Sequence, residues 1–403
     1  MAPNTTTDPQ EWTDKRWLWL FSPAIPVAFS ASIALFHATG QWAFLLFAPL
    51  FIHLVMPLLD LAFGEDFSNP TESSVAQLES DFFYRALVWA YVPFQLLGTL
   101  YGAWMVANLD MSWFALLALV FSVGAFNGIG IATAHELGHK KEALDRWMAK
   151  LALAPSVYGH FFVEHNRGHH VRVATPEDAA SARMGESFWA FLPRTMAGSL
   201  RSAWQLEAER LQRQGKSVWH VSNHNFQAWA LSLVLYGGLT AWLGWNALFF
   251  MLLQAMYAAS MLEVVNYIEH YGLLRAKDAN NRYVRCLPEH SWNSNHIVGN
   301  IILYHLQRHS DHHAHPARRY QALRHFGEAP QLPSGYAAMI TAAYIPALWF
   351  AVMDKRVVQH YKGDLEKINM QPLARRRLLK LWHKKQSQDL PTFTTQTMQK
   401  DLR

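Results

Sequence analysis

The stretch WFALLALVFSVGAFNGIGIATAHELGHK, residues 113–140, is an apolar run that continues directly into a pair of histidines. A helix needs about 20 apolar residues to cross about 30 Å of hydrocarbon, and no lysine or arginine occurs between Ala86 and His139. The same arrangement returns later in the chain, where the apolar run 246–268 precedes His270. These stretches predict membrane helices that carry histidines at one end.

The composition of the whole chain agrees with an integral membrane protein. Of its 403 residues, 51% are hydrophobic and only 16% are charged. Segments long and apolar enough to span a bilayer occupy roughly residues 17–38, 42–62, 86–107, 112–133, 226–243 and 246–268. We therefore predict an all-α fold, an integral membrane bundle of six transmembrane helices with a histidine-rich di-metal site at one end.

The basic residues set the expected orientation of this bundle. The three short turns at 39–41, 108–111 and 244–245 contain none of the 35 lysines and arginines. Cytosolic loops of membrane proteins are enriched in basic residues, so we expect both termini and the histidine-rich site to face the cytosol. The net charge of +5 then reflects membrane topology. Because the sequence holds no nucleic-acid-binding motif, we expect no nucleic-acid partner.

Three regions are expected along the chain. Residues 1–16 form a cytosolic tail, residues 17–374 the six-helix membrane domain with its cytosolic histidine region, and residues 375–403 a polar C-terminal tail. Within the membrane domain, the pattern over 196–214 predicts an amphipathic cytosolic helix. Segment 336–353 is apolar but is interrupted by Pro346. We expect this segment to lie against the membrane or the core, with a seventh span as the alternative.

Four short motifs hold ten histidines, and all of them except His315 are candidate metal ligands. They are HELGHK at 135–140, EHNRGHH at 164–170, NYIEHYG at 266–272 and LQRHSDHHAHP at 306–316. Residues three or four apart share a helix face, so within each motif the histidines at that spacing are expected to point the same way. By this rule His165 shares a face with His169, and His170 turns away from its neighbour. The candidate ligands are His135, His139, His165, His169, His170, His270, His309, His312 and His313.

The number and type of these ligands restrict the metal. Nine imidazoles exceed what one four-coordinate zinc ion can use, and they suit two metals of higher coordination. All-imidazole sites accept iron, zinc, copper or nickel. We favour iron because a redox-active pair with open positions can engage O₂. The single cysteine, Cys286, excludes an iron–sulfur cluster or a CxxC zinc site within this chain.

The chain is expected to need an external electron donor. No flavin or dinucleotide fingerprint such as GxGxxG is present, and one cysteine cannot hold a rubredoxin-type iron. A one-electron donor would then dock on the cytosolic face. Basic residues close to the histidine motifs are candidate contacts, namely Arg167, Arg172, Arg308, Arg318 and Arg319.

Acidic and small residues near the motifs complete the candidate site. Six acids could orient ligand imidazoles through their second ring nitrogen, with solvation or helix capping as the alternative. They are Glu136, Glu164, Asp178, Glu263, Glu269 and Asp311, and for the mid-span Glu263 the alternative is a hydrogen bond to a neighbouring helix. Gly124, Gly128 and Ala132 stand four residues apart and are expected to line a narrow substrate channel that leads toward His135. The alternative is that these small residues let membrane helices pack closely.

The histidine motifs resemble those of the membrane alkane 1-monooxygenases, also called alkane ω-hydroxylases, in the superfamily of membrane fatty-acid desaturases and hydroxylases. The flanking GEDFSNP (64–70), RWMAK (146–150), RMGES (183–187) and HSWNSNH (290–296) are similar to the same family. This resemblance implies two non-haem iron ions held by the nine histidines, O₂ as oxidant, and electrons from rubredoxin with a rubredoxin reductase upstream. The implied reaction is hydroxylation of the terminal methyl of linear, medium-chain alkanes in a bacterial inner membrane.

Two other functions are open at the level of sequence. The looser HxxxH and HxxHH spacing is shared with fatty-acyl desaturases and other hydrocarbon hydroxylases, although NYIEHYG favours the alkane hydroxylases. A transition-metal transporter would hold its ligands near the bilayer midplane between broken helices. The histidines here are expected at the cytosolic ends of helices and in loops, which disfavours a transporter.

Overall fold

The computed structural model describes residues 12–389, and within that part of the chain it contains helices and isolated β-bridges but no strand. Its helices long and apolar enough to cross a membrane are α1 (Arg16–Thr39), α2 (Trp42–Phe63), α3 (Phe82–Asn108), α4 (Trp113–Gly138), α5 (His224–Leu243) and α6 (Trp245–His270). The six predicted spans and the all-α fold class are thereby confirmed. Because α4 runs on to Gly138, His135 lies within the last turns of the helix.

Local sequence explains where several membrane helices begin and end. The Ser112 hydroxyl accepts a hydrogen bond from the backbone N–H of Ala115 at 3.3 Å and caps the start of α4. Gly40 and Gly244 have φ of +69° and +83°, a range that glycine adopts without steric strain. They form the tight turns from α1 to α2 and from α5 to α6. These turns reverse the chain, so that α4 and α6 end on the same side of the bundle.

Helices α4 and α6 form the buried centre of the bundle. A Cβ atom on Gly124 would lie 2.7 Å from the carbonyl oxygen of Gln254, and one on Gly128 would lie 2.8 Å from the Cβ of Met261. Asn127 Nδ2 also donates to Gln254 Oε1 at 2.7 Å across the same contact. Small residues at the contact and buried amide hydrogen bonds are how membrane helices associate. The contact therefore holds the two histidine-bearing helix ends beside each other.

Shorter helices cover these ends. They are Glu72–Ser80, Ala143–Leu153, Phe161–Glu164, His170–Arg172, Phe188–Arg213, Ile297–Ile302, His309–Ala314, Tyr336–Ala343, Pro346–His360 and Arg375–Asp389, with a π-helical turn at His165–His169 and short 3₁₀ turns at Ala154–Ser156, Pro288–His290, Tyr320–Ala322 and Leu365–Lys367. The helix predicted at 196–214 begins earlier, at Phe188, because Ser187 caps it and Phe188 and Phe191 are buried.

The apolar segment 336–353 lies against the core. It forms the end-to-end helices Tyr336–Ala343 and Pro346–His360, and neither is long enough to span a membrane. Pro346 starts the second helix, a position where its missing N–H costs nothing. Trp349 and Met353 are fully buried. The expectation that this segment lies against the core, and is not a seventh span, therefore holds.

The C-terminal region differs from the polar tail that composition predicts. Residues Arg375–Asp389 form a helix, and its Leu378 and Trp382 are buried against the main hydrophobic core. Two apolar side chains four residues apart make a stripe on an otherwise basic helix, and the overall polarity of the segment hides this stripe. Residues 1–11 and 390–403 lie outside the described residues, so most of the predicted N-terminal tail and the end of the C-terminal tail are not described.

Candidate metal centre

The nine predicted ligand histidines meet at the ends of α4 and α6, where they form two groups. The five-histidine group comprises His135, His139, His165, His170 and His312, and the four-histidine group comprises His169, His270, His309 and His313. In each group every histidine places one ring nitrogen within 4.8 Å of the others. Eight of the nine lie within a helical element and His139 directly follows one, which fixes their relative directions.

A π-helical turn determines how the motif at 164–170 is used. Sequence spacing paired His165 with His169, but the π turn at His165–His169 places His170 Nε2 only 3.1 Å from His165 Nε2. The motif is therefore divided: His165 and His170 belong to the five-histidine group and His169 to the other. The rings of His165 and His169 still stack on a shared face, as their spacing predicts, with centroids 5.3 Å apart. A π turn advances by more residues than an α turn and is frequent at functional sites.

The motif at 306–316 is also divided between the two groups. Its histidines lie on the short helix His309–Ala314, where His309 Nε2 and His313 Nε2 approach to 2.9 Å. His312 Nε2 instead lies 3.1 Å from His170 Nε2, in the five-histidine group. The three side chains thus belong to two histidine groups, although their spacing places all three on one helix face.

The ring nitrogens fit metal ions better than hydrogen bonds. The Nε2 atoms of His135, His139, His169 and His270 are buried and have no hydrogen-bond partner among the described residues. An unpaired buried polar atom is costly, and a metal would satisfy it. The measured Nε2–Nε2 separations of 2.9 and 3.1 Å also match the spacing of about 3.0 Å that two nitrogens take at right angles on a metal with bonds of about 2.1 Å.

Burial favours the neutral form of six candidate ligands that lie outside the membrane helices. Burial, with a smaller effect of neighbouring rings, lowers the pKa of His139, His165, His170, His309, His312 and His313 well below the usual histidine range. Metal ions bind the unprotonated ring, and protons compete with them. The buried environment therefore prepares these histidines as ligands at neutral pH.

Three polar groups contact the four-histidine group from outside. Asp178 Oδ2 lies 2.9 Å from His169 Nδ1, the ring nitrogen turned away from the group, whereas Glu269 Oε2 lies 3.2 Å from His309 Nε2, the nitrogen that faces His313. Burial raises the pKa of Asp178, but contacts with His169 and Ser181 outweigh that effect and lower this pKa to about 2. The third group is the carbonyl oxygen of His290, 3.2 Å from His270 Nδ1. Sequence reasoning missed this one because it is a main-chain atom.

The other four predicted acids contact residues that are not candidate ligands. Glu136 pairs with Lys140 at 2.9 Å, and Glu164 pairs with Arg172 at 2.9 Å. Glu263 accepts hydrogen bonds from Tyr158 at 2.6 Å and from Thr195 at 2.8 Å. Asp311 contacts His315 at 2.7 Å and Arg318 at 2.9 Å. Burial raises the pKa of Glu164 to about 7. These acids hold the surrounding segments together, and only Asp178 and Glu269 reach a ligand ring.

An apolar cavity of about 50 Å³ ends on the two groups. His135 and His165 of the five-histidine group and His309 of the four-histidine group form its inner end. Gly128 and Ala132 belong to its wall, together with side chains of α2, α6 and helix Tyr336–Ala343. Gly124 is not part of the wall and packs against α6 instead. The predicted small-residue stripe thus divides into a cavity part and a packing part.

The five arginines considered for donor docking are all engaged within the chain. Arg167 pairs with Glu207, Arg172 with Glu164, Arg308 with Asp66, Arg318 with Asp311, and Arg319 with Glu142 and Asp145. Arg308 is also fully buried. Their charges are largely neutralised by these acids, so they contribute little to an exposed positive surface.

Comparisons with known proteins agree with the character of this site. The family model described as "Fatty acid desaturase" matches residues 111–343. The chain is 46% identical over 379 residues to an alkane 1-monooxygenase of Acinetobacter baylyi, covering 93% of each chain. It is 47% identical over 371 residues to an alkane 1-monooxygenase of Pseudomonas putida, covering 92% of each. It is also 31% identical over 340 residues to the hydroxylase component of a xylene/toluene monooxygenase of Pseudomonas putida, covering 82% of this chain and 86% of that one.

Proposed function

Because the chain belongs to the alkane 1-monooxygenases, within the family described as fatty acid desaturases, we propose that it hydroxylates the terminal methyl of linear, medium-chain alkanes to primary alcohols. The chain is an oxidoreductase of the monooxygenase type. One observation carries the proposal about the substrate. An apolar cavity inside a membrane protein ends on imidazoles from both histidine groups, which is where a hydrocarbon would meet a metal centre.

The proposed cofactor is a pair of non-haem iron ions, one for each histidine group. Neutral imidazoles in this number suit redox-active iron, and the four unpartnered Nε2 atoms mark where the metals would be held. When bound, iron supplies the O₂-activating chemistry that side chains lack. The proposed ligands are those of the five-histidine and four-histidine groups as defined above, with Asp178 orienting His169 through its Nδ1. Glu269 approaches His309 at Nε2, on the side of the ring that faces His313.

The protein would supply orientation and the exclusion of water. The cavity wall is almost entirely apolar, and its volume of about 50 Å³ holds only the end of a linear chain, so the terminal methyl would lie nearest His165 and His309. A terminal C–H bond is not the weakest in an alkane, so selectivity for it has to come from this geometry. Asn266 and Glu269 are the polar groups in the wall and are placed to accept a hydrogen bond from the product hydroxyl.

We further propose rubredoxin as the electron donor, with a rubredoxin reductase upstream, and a bacterial inner membrane as the location. The sequence has no flavin or dinucleotide fingerprint and one cysteine, which supports an external one-electron source. The absence of basic residues from the short turns supports a cytosolic metal centre and cytosolic termini. Rubredoxin itself is carried over from the family resemblance.

Fatty-acyl desaturation is the second candidate, and the description of the matching family model favours it. The two reactions differ in product, since a desaturase makes an olefin from an acyl chain and a hydroxylase makes an alcohol from an alkane. A transporter is disfavoured because both histidine groups lie at helix ends and in the segments that cover them, away from the middle of the spans.

Product and metal analysis of the purified full chain tests the proposal. With octane, O₂, rubredoxin and its reductase we expect 1-octanol, identified by gas chromatography and mass spectrometry. Metal analysis of the same active sample should give about two irons per chain. Active protein that contains zinc alone would contradict the iron assignment. An olefin formed from a fatty-acyl substrate, with no octanol from octane, would replace hydroxylation by desaturation.

A further inference from the structure

A wide cleft lies on the side of the metal centre away from the membrane helices. Its volume is about 630 Å³, and it is bounded by the loop that follows α6 and by the connection between helices Pro346–His360 and Arg375–Asp389. The charged residues in its wall are Arg275, Lys277, Glu289, Lys362, Glu366 and Lys367, and His290 also lines it. The proposed reaction assigns no role to this cleft.

Only one residue of main chain separates the cleft from the four-histidine group. His290 lines the cleft, and its carbonyl oxygen lies 3.2 Å from the Nδ1 of ligand His270. The turn Pro288–His290 is tied to the ligand helix as well, because the Ser310 hydroxyl donates to the carbonyl oxygen of Pro288 at 2.8 Å. Electron transfer falls steeply with distance, so a donor seated in this cleft would be separated from a ligand ring by one hydrogen bond.

Among the described residues, two lysines of the cleft wall have no acidic partner, whereas the charge of the buried Arg275 is partly balanced by Asp178 and Glu177. Arg275 donates to the carbonyl oxygens of Val171 and Val284, and Lys277 lies over the Tyr283 ring at 4.8 Å. Within residues 12–389, neither of these cations nor Lys362 forms an ion pair with a carboxylate, and Glu289 is the one acid of the wall without a lysine or arginine partner. The five arginines near the histidine motifs are all paired, as described above.

The adjoining C-terminal helix enlarges this basic surface. Gln386 donates to the Gly363 carbonyl oxygen at 2.8 Å and holds helix Arg375–Asp389 beside the cleft. Arg376, Arg377 and Lys380 on this helix are exposed. A partner in the cleft would therefore contact positive charge on the cleft wall and on this helix.

We propose that this cleft is the docking site of a small acidic one-electron carrier protein, which passes electrons through the His290–His270 contact to the four-histidine group. The inference rests on the proposed function, because only the monooxygenase reaction requires these electrons. Each docked carrier is oxidised by one electron, and two successive carriers supply two electrons. Together with O₂, the alkane and two protons, these electrons give one alcohol and one water. A reduced nicotinamide is a poorer occupant, since it gives up a hydride and the sequence has no flavin fingerprint to accept it.

A binding measurement on the full chain tests the location of the docking site. The probe is a purified acidic rubredoxin, titrated against wild-type protein in lipid nanodiscs at low and at high salt. The double variant Lys277→Glu with Lys362→Glu should raise the Kd at low salt by about tenfold or more and remove most of the salt dependence. Lys216→Glu is the matched control, because Lys216 is exposed at a turn away from the cleft and should keep the wild-type Kd.

Two results would overturn the docking site. One is a double variant that binds rubredoxin with the wild-type Kd and salt dependence. The other is a wild-type chain whose binding is absent or independent of salt. Octanol formation is measured separately, with dithionite and a mediator in place of rubredoxin. Binding at the cleft without octanol would refute the proposed reaction and leave the docking site standing, whereas octanol with unaltered binding by the double variant would refute the docking site alone.

Discussion

The motifs EHNRGHH (164–170) and HSDHH (309–313) each contribute three histidines, but one has an additional residue between the first histidine and the final pair. The longer motif contains a π-helical turn and the shorter one lies on an α-helix. In both, the first and last histidines belong to one group and the middle one to the other. The first and last rings are 3.1 Å apart at their Nε2 atoms in the longer motif and 2.9 Å apart in the shorter one.

The difference between the motifs shows that a change from an α turn to a π turn compensates for one additional residue. An α-helix brings residues i and i+4 together, and the π turn does the same for i and i+5, so the additional residue leaves the arrangement of ligands unchanged. The two motifs also exchange roles. The motif at 164–170 contributes two histidines to the five-histidine group and one, His169, to the four-histidine group. The motif at 309–313 contributes two histidines to the four-histidine group and one, His312, to the five-histidine group. Each group therefore depends on both motifs.

Removing His312, the one histidine that the motif at 309–313 contributes to the five-histidine group, is expected to have the largest effect. His312→Ala should lower octanol formation by about 100-fold or more, since changes that only disturb ligand orientation already cost about 10–100-fold. Bound metal should fall while the protein still inserts in the membrane. His315→Ala is the matched control, because His315 follows the same motif and contacts Asp311 instead of a ligand group. Full activity of His312→Ala would remove this residue from the metal site.

Replacing Asp178, which contacts His169, should have an intermediate effect. His169 is the one histidine that the motif at 164–170 contributes to the four-histidine group. Asp178→Asn keeps the size of the side chain but removes the charge 2.9 Å from His169 Nδ1. We expect metal affinity, measured by competition with a chelator at neutral pH, to fall by about 10–100-fold. Glu164→Gln provides the comparison, since Glu164 pairs with Arg172 and not with a ligand. Equal affinity losses in both variants would show a general effect of acids near the motif, and not a specific contact with His169.

Narrowing the cavity between the first histidines of the two motifs should have the smallest effect. Ala132 lines this cavity with His165 and His309. Ala132→Val adds two methyl groups to the wall and should raise the ratio of octane to dodecane turnover by about tenfold, since even one methylene in an apolar pocket supplies about 10-fold discrimination. Gly124→Ala should instead reduce the amount of folded protein without altering the ratio, because its Cβ would lie 2.7 Å from the Gln254 carbonyl oxygen. An unchanged ratio in Ala132→Val would place the substrate elsewhere.

Sequence patterns predicted the membrane spans and the nine converging histidines, because hydrophobic length and ligand spacing are local properties. They did not predict the division into two groups, since the π turn at His165–His169 has no distinct signature in HNRGH. They also could not show that Asp178 contacts a candidate ligand whereas Asp311 does not. Both acids lie close to histidine motifs, and only the folded chain places one beside His169 and the other beside Arg318.

Charge near a motif was a poor guide to an exposed surface for a similar reason. The sequence directed attention to Arg308 and its neighbours, yet Arg308 is fully buried beside Asp66. The cations that acids leave unpaired, such as Lys277 and Lys362, lie farther from the histidines in sequence. Whether a cation is free depends on the acids that folding brings to it, and these acids come from distant segments.

Each histidine group combines residues from distant parts of the sequence, and this affects when the group can form during synthesis of the protein. The five-histidine group needs His135 and also His312, and the four-histidine group needs His169 and also His313. During synthesis on the ribosome the first ligands of both groups are complete long before the last ones exist. Neither group can be finished until the chain has grown past residue 313 and the earlier helices are already in the bilayer. A metal held by all members of either group would therefore be enclosed late in biogenesis, and it would join segments that were inserted at different times.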